Sequence, residues 1–176
     1  MNYTSIYKTP AGFDDIILNS NGTCLTGLWF YGSRDSHKHI MSNMVNELPI
    51  FNETCLWLDC YFGGRQPNTV PEYIIEKPTP FRQKVLNIVS QIPFGKTVTY
   101  GEIAAEIAHQ NGIVKMSAQA VGGAVGWNPI CIIIPCHRVM GANHRLTGYG
   151  GGIANKLALL RLEGICFRST CLEACR

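Results

Sequence analysis

The sequence predicts an α+β fold in which a small α/β unit precedes a mainly helical unit. Short runs of β-forming residues, separated by turn residues, fill the first 30 positions, and an amphipathic helix follows them. From residue 81 onward the pattern is that of capped helices. We therefore expect an N-terminal domain over residues 1–79 and a C-terminal domain over residues 80–176. Four prolines between the two patterns predict the linker: Pro67, Pro71, Pro78 and Pro80.

The N-terminal unit is predicted to contain an antiparallel set of three short strands and one helix. The strands are residues 3–8, 13–18 and 24–30, with turn residues between them. Residues 48–62 fit an amphipathic helix, because apolar residues at helical spacing form one face: Phe51, Cys55, Leu58 and Phe62.

The second unit is predicted to contain four helices, which cover residues 81–92, 99–109, 117–125 and 153–163. Thr99 and Glu102 have the spacing of a capping box, and Ser117 is a good N-cap. The adjacent Gly122 and Gly123 weaken a helix and suggest that another backbone approaches closely there. The middle two helices fit a helix-turn-helix, although core helices packed through glycine would show the same pattern.

Composition indicates a folded intracellular chain with a basic C-terminal half. Hydrophobic residues make up 46% of the sequence and charged residues 15%, which excludes a disordered chain. Residues 1–80 carry five Lys/Arg against eight Asp/Glu, whereas residues 81–176 carry ten against four, which favours a polyanionic partner. No signal pattern or membrane-length apolar run is found, so we expect a cytoplasmic protein whose eight cysteines are reduced.

Neither the histidines nor the cysteines have convincing metal-site spacing. His37 and His39 lie in a polar segment and are expected to face solvent. Cys166, Cys171 and Cys175 crowd the C-terminus but lack a clear fourth ligand. We therefore expect no metal, and no role follows for these three cysteines.

The strongest chemical signal is Cys136 followed by His137. The pair directly follows Pro135 and the apolar run of residues 130–134, which should be buried. A base beside a thiol can hold it as the nucleophilic thiolate, whereas most buried cysteines are small packing residues. Neighbouring side chains on an extended strand point to opposite faces, so His137 would reach the sulfur only if the chain turns or a water relays the proton.

Several motifs together resemble the O⁶-alkylguanine-DNA alkyltransferase family, also called methylated-DNA–protein-cysteine methyltransferases. The resemblance covers most of residues 79–166 and is looser before them. The specific motifs are Phe94-Gly95-Lys96-Thr97-Val98-Thr99-Tyr100, Ala120-Val121-Gly122-Gly123-Ala124-Val125, Asn128-Pro129, Ile133-Ile134-Pro135-Cys136-His137-Arg138-Val139, Thr147-Gly148-Tyr149-Gly150-Gly151-Gly152 and Leu162-Glu163-Gly164.

The resemblance implies a ribonuclease H-like N-terminal domain and a suicide reaction that needs no cofactor. An alkylated guanine is flipped out of duplex DNA, and its alkyl group moves irreversibly to Cys136. His137 would activate the thiol through a water, and Glu163 would orient the imidazole. Asn128 would tie the DNA-binding turn to the active site, and Tyr100 would help to protonate the leaving guanine.

The same resemblance implies the DNA contacts and the base pocket. The second helix of the helix-turn-helix enters the minor groove of double-stranded DNA, and the protein acts as a monomer. Gln119 stands where better-known members have an arginine that fills the gap left by the flipped base. The implied DNA-binding residues are Tyr100, Ser117, Gln119, Arg138 and Ala142. The implied pocket residues are Val125, Tyr149, Gly150 and Gly151, and Gly150 is expected to leave the pocket open to bulkier alkyl groups.

Three alternatives remain open at the level of sequence. A non-catalytic alkyltransferase-like sensor would replace the reactive cysteine, which this chain keeps. A methylation-sensing transcriptional regulator would usually need an additional zinc-containing N-terminal domain, for which 176 residues leave no room. A cysteine hydrolase with a Cys136–His137 dyad would turn over repeatedly, and no oxyanion-hole loop is obvious.

Overall fold

A computed structural model describes residues 2–35, 44–45, 47–168 and 171–174. His37, His39 and Cys175 lie outside these residues. The first three strands form an antiparallel sheet in the order β1-β2-β3. They are β1 (Tyr3–Tyr7), β2 (Ile16–Ser20) and β3 (Leu25–Phe30).

The predicted strands are confirmed, but the second begins later than expected. Asp14 and Asp15 lie before the strand in irregular backbone, where the Thr9 hydroxyl bonds to the carbonyls of Phe13 and Asp14. Every residue of β2 is buried, since this central strand is covered on both faces.

Helix α1 (Pro49–Phe62) packs against this sheet. Three of the four residues of the predicted face, Phe51, Leu58 and Phe62, are buried, whereas Cys55 is half-buried. Gly64 with a φ of 74° follows the end of the helix. The buried residues of the helix are Ile50, Phe51, Thr54, Leu58, Tyr61 and Phe62. Among them, Tyr61 has a hydroxyl that needs a hydrogen-bond partner.

The four helices predicted for the second half are present. They are α2 (Pro80–Ser90), α3 (Tyr100–Gln110), α4 (Ala118–Val125) and α5 (Ile153–Leu162). Thr99 and Glu102 form the complete capping box of α3, and the Ser117 hydroxyl accepts from the Ala120 amide at the start of α4.

Short strand pairs fix the loops between these helices. Strand β4 (Val98–Thr99) pairs in parallel with β5 (Val139–Met140), which brings the start of α3 beside the residues after Cys136. Strands β6 (Ile165–Arg168) and β7 (Cys171–Ala174) form an antiparallel hairpin that the sequence analysis did not predict. None of the helices in the described residues is both long and apolar enough to cross a membrane.

The two halves share one hydrophobic core. The main cluster of buried residues runs from Tyr7 in the first half to Leu159 in α5. Leu28 of β3 also forms a β-bridge with Ile130, which lies just before the Cys136 segment. The domain boundary near residue 79 stays a prediction, and the N-terminal sheet directly supports the backbone of the candidate site.

Candidate active site

Asn128 closes the turn that carries Cys136. Its side-chain amide donates to the carbonyls of Ile130 and Ile134 at 3.3 and 2.9 Å and contacts the Cys136 sulfur at 3.1 Å. Its oxygen accepts from the Ile130 amide at 3.0 Å. One buried side chain therefore holds both ends of the turn and places a donor on the sulfur.

The residues around the cysteine are buried, as expected, but they are not extended. Ile132 has a φ of 67°, and the Ile134 amide donates to the Ile130 carbonyl at 3.0 Å, which makes a tight turn. Cys136–Arg138 form a single 3-10 turn. The alternation of a strand therefore does not apply to His137, and the chain turns in the way that the sequence analysis left open.

The surroundings of Cys136 favour its thiolate. A hydrogen bond with the Cys131 thiol lowers the pKa of Cys136 below its usual value, and burial opposes this effect. The Asn128 amide and the Lys156 ammonium lower this pKa further. The same hydrogen bond, together with burial, raises the pKa of Cys131 well above its usual value. Cys131 is therefore the donor of the pair, and Cys136 is the thiol that ionises more readily.

Lys156 is a functional candidate that the sequence analysis missed. Its side chain is fully buried, and its ammonium donates to the Val139 carbonyl at 2.7 Å. Burial lowers its pKa to about 8, while the charge of Cys136 opposes the decrease. The available signal was its position on the inner face of α5, at helical spacing from Leu159 and Leu160.

His137 and Glu163 form a buried pair. The His137 Nε2 and Glu163 Oε1 atoms are 2.8 Å apart, and both side chains are inaccessible to solvent. Burial lowers the pKa of His137 despite the neighbouring carboxylate, so the imidazole is neutral near pH 7. A carboxylate only accepts, which places the proton on Nε2 and leaves the Nδ1 lone pair available as a base.

Glu163 is held as a carboxylate by several donors. Burial would raise its pKa, but hydrogen bonds from His137 and Arg138 outweigh burial and lower it to about 2. The Gly95 amide also donates to it, at 3.1 Å. Its place at the end of α5, where the helix dipole disfavours a carboxylate, is compensated by these donors.

The expected DNA contact of Arg138 is wrong in this structure. The Arg138 guanidinium is buried and donates to both oxygens of Glu163, at 2.8 Å to each at the closest. Its remaining amino group donates to the Ile92 carbonyl at 2.6 Å. These bonds direct the charge inward, so Arg138 neutralises the buried carboxylate and does not face a phosphate.

Tyr61 of α1 is a second residue that the sequence analysis missed. Its hydroxyl donates to Glu163 Oε1 at 2.6 Å and lies 3.3 Å from His137 Nε2. The signal was a tyrosine at a buried position of an apolar helix face, where the hydroxyl must find a partner.

Several predicted DNA-contacting residues line one groove beside this site. Helices α3 and α4 pack together, and a groove of about 630 Å³ lies beside their contact. Its lining residues come from α3, α4 and the 3-10 turn Ala142–His144: Thr99, Tyr100, Gly101, Ala118, Gln119, Gly122, Ala142 and Asn143. Ser117 is exposed at the start of α4.

Tyr100 connects this groove to the buried thiol. Burial raises the pKa of its hydroxyl, and the nearby Cys136 raises it further. Tyr100 therefore remains protonated near neutral pH and can donate a proton or a hydrogen bond.

The expectation of a close backbone approach at the α4 glycines is wrong for the protein alone. A Cβ at Gly122 would make ordinary contact with the Tyr100 ring at 3.8 Å, and a Cβ at Gly123 would meet nothing within 4 Å. Both positions therefore have room on the protein side.

Of the expected pocket residues, Tyr149 lies near the two thiols. The Tyr149 hydroxyl is buried beside the Cys131 and Cys136 sulfurs, and burial raises its pKa well above the usual value. A Cβ at Gly151 would come within 2.8 Å of the Phe30 ring, so only glycine fits this position. Val125 lies in the core at the end of α4.

The expectation that Gly150 leaves the pocket open is wrong. A Cβ at Gly150 would collide with the buried Asp35 carboxylate. The missing side chain therefore makes room for Asp35 of the N-terminal half, and it adds no space for a larger alkyl group.

A buried, ionisable cysteine beside a helix-turn-helix defines the general class, a DNA-binding protein with a cysteine nucleophile. The family model described as "6-O-methylguanine DNA methyltransferase, DNA binding domain" matches residues 80–165. The chain is 36% identical over 164 residues to the methylated-DNA–protein-cysteine methyltransferase of Methanosarcina acetivorans. This alignment covers 93% of the chain and 99% of that relative. The chain is also 35% identical over 170 residues to the relative of the same name from Haemophilus influenzae, and this alignment covers 93% of the chain and 87% of that relative.

Solved structures agree with these relatives. The crystal structure of the O⁶-methylguanine methyltransferase of Mycobacterium tuberculosis superposes with a TM-score of 0.76 at 38% identity and covers 93% of each chain. A structure of the protein from that organism in complex with DNA has a TM-score of 0.76 at 35% identity and covers 92% of each chain. The chain belongs to the methylated-DNA–protein-cysteine methyltransferase family, and this membership confirms both the resemblance and the α+β fold.

Proposed function

We propose that the protein repairs DNA by moving an alkyl group from O⁶ of guanine, and from O⁴ of thymine, to its own Cys136. The thiolate attacks the alkyl carbon, a sulfur–carbon bond forms and the carbon–oxygen bond breaks. The electron pair leaves with the base, which takes up a proton. The product is a thioether, which no group in the site can cleave, so each molecule reacts once.

One observation supports this proposal most directly. The Asn128 amide lies 3.1 Å from the sulfur of Cys136. The next residue of the same turn, His137, lies 2.8 Å from the Glu163 carboxylate. Displacement at an alkyl carbon requires a soft, ionised nucleophile, and this arrangement stabilises one.

The catalytic roles follow from which groups of the site can give or take a proton. His137 accepts the thiol proton at Nδ1, directly or through a water, while Glu163 holds the opposite side of the ring. Asn128 stabilises the resulting thiolate. Tyr100 donates to the leaving base, where the negative charge develops.

The duplex is bound through α4 in its minor groove, and the damaged nucleotide is flipped towards Cys136. The Tyr100 side chain, the exposed start of α4 at Ser117 and the turn at Ala142 contact the backbone around the lesion, and Gln119 fills the space left by the base. The wall of the base pocket consists of Val125, Tyr149, Gly150 and Gly151. The protein works as a monomer in the cytoplasm, where its thiols stay reduced.

The test is an intact mass and a peptide map after incubation with excess duplex DNA that contains O⁶-methylguanine. We expect one methyl group per protein, on Cys136, and no further turnover. Cys136→Ala should bind the same DNA without transfer. Methyl on another cysteine, or repeated turnover, would contradict the proposal, and a parallel O⁴-methylthymine duplex tests the second substrate.

A further inference from the structure

Tyr61 reaches the catalytic pair from outside the segment that the family model matches. It lies near the end of α1, whereas the match covers residues 80–165. Its side chain is only 1% exposed, and its hydroxyl is 2.6 Å from Glu163 Oε1 and 3.3 Å from His137 Nε2. The N-terminal half therefore supplies a polar group to the His137–Glu163 pair.

The geometry settles which atoms carry protons. The Tyr61 hydroxyl donates to Glu163, because a carboxylate cannot donate and because burial raises the pKa of Tyr61 well above its usual value. The lone pairs of the same oxygen are then the part that faces Nε2. His137 Nε2 must carry a hydrogen, which it shares between the Glu163 and Tyr61 oxygens.

The hydroxyl is fixed because the Tyr61 ring is fixed. The ring stacks on Trp57 with centroids 5.5 Å apart and an interplanar angle of 5°. The edges of Phe62 and Phe94 contact it at centroid distances of 5.6 and 5.9 Å. A tyrosine held on three sides presents its oxygen at one point, so it can select one orientation of a neighbouring imidazole.

We propose that Tyr61 is a positioning residue that holds the His137 imidazole in one orientation, because its hydroxyl donates to Glu163 Oε1 and is a second acceptor for the Nε2–H that Glu163 also accepts. This inference rests on the proposed transfer to Cys136 and extends it to the N-terminal half. Without the hydroxyl, Glu163 still pairs with Arg138 and still keeps the proton on Nε2, but the imidazole loses its second acceptor and can change its orientation.

The test compares Tyr61→Phe with Tyr7→Phe in the full chain. Tyr7 is a matched control, because its buried ring also packs on Phe62 and its hydroxyl donates to Asp59, on α1, at 2.8 Å, away from Cys136. The measurements are the single-turnover rate at saturating methylated duplex, the Kd of that duplex, and the nitrogen chemical shifts of the His137 ring, assigned with His137→Gln.

In Tyr61→Phe we expect the saturated rate to fall roughly five- to ten-fold, which is the effect of one lost hydrogen bond. The Kd should stay unchanged, and the Nε2 shift of the ring should move, because the Nε2–H loses one of its two acceptors. Tyr7→Phe should match the wild type in all three measurements. Wild-type ring shifts and rate in Tyr61→Phe would overturn the proposal, as would equal rate losses in both variants.

A failure of the proposed function has a different signature. The wild type would then transfer no methyl group, while the ring shifts of Tyr61→Phe would still show whether Tyr61 orients the His137 ring. The two inferences can therefore fail separately.

Discussion

At the scale of single residues, the site depends on groups that control the ionisation of Cys136. The Asn128 amide contacts the sulfur, and the Cys131 hydrogen bond lowers the pKa of Cys136. Apart from the charge of Lys156, the groups that lower the pKa of Cys136 are neutral hydrogen-bond donors. The Arg138 charge is already paired with Glu163. The thiolate is thus stabilised mainly by oriented dipoles.

Cys131 provides a direct test of this arrangement. Replacing it with alanine removes the donor whose effect on the pKa of Cys136 is largest, so that pKa should rise. Cys131→Ser keeps a donor and should restore most of the decrease. The pKa is measured by thiolate absorbance against pH, with Cys136→Ala as the blank and Cys55→Ala as the control. An unchanged pKa in Cys131→Ala would contradict this assignment.

Glu163 should make stability depend on pH in acid. Its pKa is about 2 in the folded protein and ~4.3 in an unfolded chain, so the folded state is favoured by about 3 kcal/mol above that unfolded value. This contribution should be lost as the pH falls from about 4 towards 2. In Glu163→Gln the contribution is absent, and the buried Arg138 loses its partner, which costs roughly 3–5 kcal/mol near pH 7.

Denaturant unfolding at several pH values measures this effect. The difference in unfolding free energy between wild type and Glu163→Gln should be largest near neutral pH and should narrow below pH ~4. Glu102→Gln, in the exposed capping box of α3, is the control and should change stability much less. A gap between wild type and Glu163→Gln that does not vary with pH would show that the carboxylate charge does not provide the stabilisation.

At the scale of elements, α4 combines a buried and an exposed face within eight residues. Val121, Ala124 and Val125 are buried, while Ala118 and Gln119 are exposed. The α4 glycines lower the intrinsic stability of the helix, and nothing in the protein alone requires them. This cost is understandable if the exposed face must approach a DNA backbone closely.

Alanine at the two glycines separates helix stability from DNA binding. Gly122→Ala and Gly123→Ala should each raise the unfolding free energy by about 0.5–1 kcal/mol, because both have space and alanine favours helix. Gly122 lines the groove with Tyr100 and Gln119, whereas Gly123 does not. Only Gly122→Ala should therefore weaken binding of duplex DNA, measured by fluorescence anisotropy. Equal affinities for both variants would argue against this groove as the DNA surface.

The elements were predictable where local signals act alone. Thr99 with Glu102 and Ser117 predicted the starts of α3 and α4, because caps are short-range features. The 3-10 turn at Cys136–Arg138 was not predictable, since it depends on the distant pairing of β4 with β5 and on the Asn128 side chain. The 165–174 hairpin was missed because neither strand shows clear alternation.

At the scale of the whole molecule, the two halves of the chain build one site. Tyr61 of α1 bonds to Glu163, the Asp35 carboxylate fills the space at Gly150, and Leu28 of β3 pairs with Ile130. Sequence motifs identified Cys136 and its partners in the second half, because each motif is a run of consecutive residues. The contributions from the first half join residues about 100 positions apart, and no local pattern encodes such contacts.

The buried charges show the same limit. Arg138 belongs to the motif that identifies the family, yet its sequence position could not show that its guanidinium turns inward to Glu163 and Ile92. Lys156 could be noticed only as a charged residue on an apolar helix face, and its carbonyl partners come from other segments.

The most direct test of the account is the rate at which iodoacetamide labels Cys136 in the native protein, followed by peptide mapping as a function of pH. We predict a labelling midpoint below that of an ordinary cysteine, with Cys131 unlabelled throughout the neutral range. A midpoint at or above the ordinary value would mean that the sulfur is a packed thiol, and the nucleophile on which the proposed repair depends would not exist.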